Sequence, residues 1–276
     1  MYEKHFHLNT APFSVNPDPK FLYPTETVRE ALAALAYGVN NRKGFIVLTG
    51  DVGTGKTTIL NIFMQWLRSR NAATAFIYNP RLKPDEFLDF MLADFRVRCA
   101  STVKSRRLLR LTDWLLERYR AGQPVVLVVD EAQQLSADVL EELRLLTNLE
   151  TPTQKLLQIV LCGQPELDKL LEHPSLRQLR QRVTLRCRTA PFSVEQTKNY
   201  IEQRLRIAGA ARVDLFEADA VEIIYRYSGG IARIINLLCE QSLIHAYCEG
   251  RQTIGADAVA YVAREFNLED AEYART

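Results

Sequence analysis

Residues 50–57 read GDVGTGKT, and further along 125–131 read VVLVVDE. The first stretch fits G-x-x-x-x-G-K-[ST], a loop that binds phosphates when it follows a strand and opens a helix. FIVLT (45–49) and TTILNIFMQWLRS (57–69) supply that setting. Gly50, Gly53 and Gly55 let the backbone turn its N–H groups onto phosphate oxygens, and the following helix adds the positive end of its dipole. The candidate cradle is Gly50, Asp51, Val52, Gly53, Thr54, Gly55, Lys56, Thr57 and Thr58. Lys56 is a mobile point charge for the β- and γ-phosphates, and the Thr57 hydroxyl suits Mg²⁺.

VVLVV is apolar at every position, as a buried parallel strand is, and it delivers Asp130 and Glu131 at its end. Asp130 is expected to hold Mg²⁺, and Glu131 to polarise the attacking water as general base. An acidic pair at a strand end could be a plain surface turn; a phosphate loop upstream makes the catalytic reading the stronger one. CGQPEL (162–167) ends a fourth apolar run. Its Gln164 either orients the water near a γ-phosphate or bonds the turn before Pro165.

These residues need a scaffold. The runs FIVLT, TAFIY (74–78), VVLVV, LLQIVLC (156–162) and RVTLRC (182–187) alternate with helical patterns near 84–97, 105–120 and 136–146. That alternation predicts a parallel sheet with right-handed crossovers. A helix over 25–40 precedes it, with Thr27 and Glu30 at capping-box spacing. After Pro191, four helical patterns with Gly stops at 209, 229 and 250 carry no strand signal; Ser193 and Gln196 form a capping box at the first. We expect α/β architecture over residues 1–190, including a leader rich in proline and aromatic residues, and an all-α lid over 191–276.

The 276 residues carry 35 basic and 33 acidic side chains, a net +2, which marks neither a polyanion binder nor an acidic tail. Five cysteines, at 99, 162, 187, 239 and 248, form no CxxC and are expected to be reduced thiols. With no signal-peptide pattern and no apolar run of membrane-spanning length, the expected location is the cytoplasm. The histidines at 5, 7, 173 and 245 lack metal-ligand spacing. SLRQLRQR (175–182) holds Arg177, Arg180 and Arg182 with no acid in the stretch. On a helix the first two share a face and the third points away.

GDVGTGKT, VVDEAQ (128–133), IVLCGQPEL (159–167), LRQR (179–182) and GGIARIINLL (229–238), behind the leader FHLNTAPFSVNPDPKFLYPT (6–25), together resemble the AAA+ ATPases of the ExeA/GspA type over nearly the whole chain. The resemblance implies a P-loop NTPase fold with five-stranded sheet order 5-1-4-3-2 and ATP between sheet domain and lid. It implies that Gln164 is sensor 1 and Arg233 is sensor 2. It makes Arg182, with Arg180 as second candidate, the arginine offered to a neighbouring subunit's ATP. Phe13 and Phe21 either wall the adenine or pack the core. Such proteins help assemble a secretion channel, and longer members continue through a membrane segment to a peptidoglycan-binding region. This chain, ending in NLEDAEYART, is expected to lack both extensions.

The leading expectation is therefore an Mg²⁺-dependent ATPase that forms a homo-oligomer with ATP and acts as an assembly motor or switch, with a secretion-assembly protein as partner. A second expectation is a DNA-associated regulator of the TniB/TnsC transposition kind. It rests on RVRCASTVKSRRLLR (96–110), whose six basic residues are more often a solvated helix face. A third is a nucleotide-dependent scaffold with negligible turnover, against which Glu131 argues.

Overall fold

The computed structural model describes residues 1–270. In chain order the elements are α1 (Tyr2–His5), α2 (Glu26–Asn40), β1 (Phe45–Thr49), α3 (Lys56–Ser69), β2 (Ala73–Ile77), α4 (Pro84–Asp94), α5 (Lys104–Arg120), β3 (Val125–Val129), α6 (Ala137–Leu146), β4 (Gln158–Gly163), α7 (Pro165–Glu172), α8 (Arg177–Arg182), β5 (Val183–Arg188), α9 (Val194–Ile207), α10 (Ala218–Ser228), α11 (Ala232–Cys248) and α12 (Ala256–Glu265).

The strands pair in parallel in the order β2-β3-β4-β1-β5, the expected order read from the other edge. β1, β3 and β4 are buried at every position, as apolar runs covered on both faces should be. β1 and β4 run in register from Phe45 opposite Ile159 to Thr49 opposite Gly163. Val129 of β3 lies opposite Leu161 of β4. The residues that follow β1, β3 and β4 therefore emerge at one end of the sheet: Gly50, Asp130 and Gln164.

Element ends differ from expectation at several places: β2 covers Ala73–Ile77, β4 starts at Gln158 and α4 ends at Asp94, and two further differences touch named residues. α2 begins at Glu26, so Thr27 lies inside the helix and cannot cap it from Thr27–Glu30. Arg182 still belongs to α8, so β5 starts one residue later than RVTLRC suggests. The Ser193 capping box forms in full, with Gln196 N–H donating to the Ser193 hydroxyl and the Gln196 side chain accepting from the Ser193 N–H.

Contacts divide the chain into two units. One comprises Glu26–Asp51 and Ile59–Thr189; the other joins Met1–Thr25 and Val52–Thr58 to the residues from Ala190 on. The first has its core around the sheet, with Val47, Leu127, Leu161 and Leu143 among its buried residues. In the second, Leu205, Ile224, Leu238 and Val259 come from all four C-terminal helices.

The leader packs with the helices, not with the sheet as the expected 1–190 grouping has it. Tyr2, Phe6, Leu8 and Phe13 are buried in the helical core. After α1 the leader forms only a 3-10 turn over Pro19–Phe21, so most of its rings lie outside regular elements. Phe13 meets Phe216 edge-on at 5.8 Å and is 1% exposed. It is a core residue. Phe21 lies under the Arg204 guanidinium, 4.6 Å from its ring centre, a favourable cation–π geometry.

Candidate phosphate-binding and hydrolytic site

The phosphate loop sits where its sequence demands, with β1 ending at Thr49 and α3 starting at Lys56. Gly53 and Gly55 adopt φ of +81° and +96°, values that side chains resist and glycine does not. Gly53 is also crowded. A Cβ there would stand 2.7 Å from the Arg233 Cβ and 2.9 Å from Ile231 Cγ2. The Gly53 carbonyl accepts the Arg233 N–H at 3.2 Å. The start of α11 thus touches the loop through backbone, while the Arg233 side chain is exposed. Lys56 is 9% exposed and Thr54 6%, whereas Thr57 opens to solvent.

At the end of β3 the backbone turns sharply. Glu131 takes a left-handed conformation, φ 50° and ψ 35°, ahead of a short 3-10 turn over Ala132–Gln134. Such a conformation is uncommon outside glycine. The Glu131 N–H donates to the Asp130 carboxylate at 2.9 Å. The Glu131 Oε2 accepts from Gln133 Nε2 at 2.6 Å and from Gln164 Nε2 at 3.3 Å. The Gln133 Oε1 in turn accepts the Gln164 N–H at 3.1 Å. Gln164 is the N-cap residue of α7, yet its side chain does not cap the helix. It faces Glu131 and makes no bond to the turn before Pro165.

The structure therefore brings Glu131 and Gln164 together, with Asp130 adjacent in the chain. Gln133 is the residue that sequence reasoning missed. Its only signal was an amide two positions after Glu131, which reads as ordinary turn chemistry.

The three arginines of α8 separate. Arg182 Nη1 donates to the Arg144 carbonyl at 2.9 Å and to the Thr147 hydroxyl at 2.7 Å. Both acceptors lie at the C-terminal end of α6, where unpaired carbonyls and the negative end of the helix dipole favour a cation. One turn earlier Arg144 pairs with Glu141 and holds that carboxyl below the usual carboxylate range. Arg177 and Arg180 are exposed, and neither has an ion pair or hydrogen bond to the described residues.

The basic run over 96–110 is partly consumed within the chain. Arg107, 5% exposed, binds the Asp85 carboxylate at 2.9 Å and also Asp89, joining α5 to α4. Lys104 pairs with Glu142, and Arg110 lies 3.8 Å from Glu117. Arg96, Arg98 and Arg106 are exposed. No helix among the described residues is long and apolar enough to cross a membrane.

Residues 39–171 match a family model described as an AAA domain. The chain is 43% identical over 266 residues to general secretion pathway protein A of Aeromonas hydrophila, covering 96% of this chain and 48% of that protein. It thus spans about half the length of the curated relative it matches. Among solved structures it is similar to Cdc6p from Pyrobaculum aerophilum, with TM-score 0.67 and 19% identity over 95% of this chain and 70% of that one. It is also similar to the ORC2 protein of Aeropyrum pernix in ADPNP–ADP complexes, with TM-score 0.61 and 16% identity over 86% and 67%. The Thermotoga maritima RuvB Holliday junction branch migration motor gives 0.58 and 19% over 88% and 70%. At such identities the likeness is one of fold.

Proposed function

We propose that this chain, which belongs to the AAA+ ATPases of the general secretion pathway protein A type, binds ATP with Mg²⁺ and hydrolyses it to ADP and phosphate, as a switch that assembles with copies of itself. The observation that carries the reading is the Glu131 carboxylate, held by two amides at the end of the sheet where β1 opens into the phosphate loop.

In this reading the N–H groups of residues 50–58 and Lys56 bind the phosphates and orient the γ-phosphoryl group. Thr57 and Asp130 supply the hard oxygen donors that Mg²⁺ takes. The bound ion would neutralise charge that develops on the β- and γ-phosphate oxygens. Glu131 orients the attacking water and accepts its proton. Gln164 takes the role of sensor 1, and Arg233 at the start of α11 that of sensor 2. Positioning and charge neutralisation are most of what phosphoryl transfer asks of a protein.

The arginine presented to a neighbouring subunit is reassigned. Arg182 is engaged on α6 of its own chain, so Arg180 becomes the first candidate and Arg177 the second. By kinship with the secretion-pathway relative, the client is a protein of an envelope or secretion assembly. DNA is the less favoured partner, because Arg107 and Lys104 are already paired inside the chain.

The test is ATP turnover per subunit against protein concentration, with and without DNA. A shared site gives specific activity that rises with concentration and then saturates, with DNA making little difference. Activity that stays flat down to concentrations at which the protein sediments as a monomer would refute the shared site. Turnover that needs DNA would favour the transposition-type reading.

A further inference from the structure

We propose that Gln133 is a positioning residue that fixes the Glu131 carboxylate against the end of β4, so that the base stays aimed while Gln164 turns toward phosphate. The inference rests on the reading of Glu131 as general base.

Glu131 needs such an anchor. Its backbone leaves the strand in a left-handed turn, and a glutamate has three side-chain torsions to fix. A base that wanders by about 1 Å can lose roughly 100-fold in rate. Two donors meet on its Oε2, at 2.6 Å from Gln133 and 3.3 Å from Gln164. Gln133 makes the shorter bond.

The orientation of the Gln133 amide follows from its neighbours. One of its ends faces a backbone N–H, which only donates, and the other faces a carboxylate, which when ionised only accepts. Its oxygen must therefore lie toward Gln164 N at 3.1 Å and its NH₂ toward Glu131. The amide thus ties the base to the main chain of the proposed sensor residue. The Gln164 side chain is the remaining link of the ring, and the one with another proposed task. When it leaves, the Gln133 bond and its backbone brace persist.

Space for this amide depends on Gly163. A Cβ on Gly163 would come within 2.7 Å of Gln133 Oε1 and 3.1 Å of Leu167 Cδ2. The last residue of β4 therefore has to be small for the amide to lie where it does. Substituting it displaces Gln133 without changing a polar group.

The test uses the full chain with Mg-ATP, reading kcat by phosphate release and ATP affinity with a fluorescent analogue. Gln133→Met keeps side-chain length and removes both bonds. It is expected to lower kcat by roughly 10- to 100-fold with the nucleotide Kd within about twofold of wild type. Gln133→Glu retains an acceptor for the Gln164 N–H but sets a carboxylate against Glu131. It is expected to fall at least as far, whereas a residue that only braced β4 would tolerate it. In single turnover, adding Gln133→Met to Glu131→Gln is expected to cost nothing more, because Gln133 acts through Glu131. Gly163→Ala is expected to lower kcat in the same sense, and it serves if Gln133→Met fails to fold.

Wild-type kcat in Gln133→Met, or in Gly163→Ala with an unchanged melting temperature, would overturn the inference. So would a Gln133→Met penalty that multiplies in full in the Glu131→Gln background, and that result would leave the reading of Glu131 intact. Wild-type turnover no faster than Glu131→Gln would instead remove that reading, and the inference with it.

Discussion

Arg182 and Thr147 are joined by a hydrogen bond of 2.7 Å from guanidinium to hydroxyl. The same hydroxyl donates to the Arg144 carbonyl, also at 2.7 Å, and Arg182 reaches that carbonyl too. An arginine so used closes the end of α6, and on the proposed reading its role is within its own chain. Arg182→Ala should therefore cost stability, about 1–2 kcal/mol in urea unfolding, with turnover per folded molecule largely kept. Arg180→Ala should do the reverse, leaving unfolding nearly unchanged and lowering kcat by roughly 1,000-fold or more. Mixing Arg180→Ala with Lys56→Ala should recover part of the activity, since some mixed interfaces join an intact loop to an intact arginine. Recovery with Arg182→Ala but not with Arg180→Ala would reverse the assignment.

Gly53 supports a sharper expectation than the other loop glycines. It combines positive φ with close contact to Arg233 and Ile231. Gly53→Ala should weaken ATP binding by at least about tenfold, an estimate from the cost of strained backbone, read by fluorescent-nucleotide titration. Binding at wild-type strength would mean that this loop conformation is not the binding one.

Arg107 illustrates why a basic run is poor evidence for nucleic acid. Its guanidinium is buried between α4 and α5 on two carboxylates. Arg107→Met should destabilise the protein by roughly 2 kcal/mol, through lost charged hydrogen bonds, measured as a drop in the denaturation midpoint. Weak binding of DNA at low salt, if any, should persist in that variant. Loss of DNA binding without loss of stability would contradict this assignment.

The thiols should separate by environment. Burial, with Glu30 adding to it, pushes the Cys187 thiol up to about 11, and burial raises Cys239 as well. The thiolate is the reacting species, so at pH 8 both are held in the unreactive form as well as covered. Cys248 is exposed. Native alkylation followed by peptide mapping should mark Cys248 first, and Cys187 and Cys239 only after unfolding. Prompt labelling of Cys187 in the native protein would contradict the packing of β5 against α2.

What the sequence made legible follows from the range of its signals. VVLVV and FIVLT announce buried strands because unbroken apolar runs leave few alternatives, and the phosphate loop carries its own spacing rule. The capping box at Ser193 is equally local. Gln133, by contrast, matters through a bond to the main chain of Gln164, thirty-one positions away, and no local pattern encodes that. The leader's rings promise burial without naming the core that receives them, and they join the helices. Arg182 seemed free because no acid lies near it in sequence. Its partners are a carbonyl and a hydroxyl at a helix end, which composition does not reveal.

The central claim is that this chain hydrolyses ATP with Glu131 as the base. The most direct measurement compares steady-state phosphate release and ATP retention in the wild type, Glu131→Gln and Lys56→Ala under one set of conditions. The account predicts turnover in the wild type, a fall of roughly 100-fold or more in Glu131→Gln with ATP still bound, and no nucleotide bound to Lys56→Ala. Phosphate release by Glu131→Gln at the wild-type rate would contradict it.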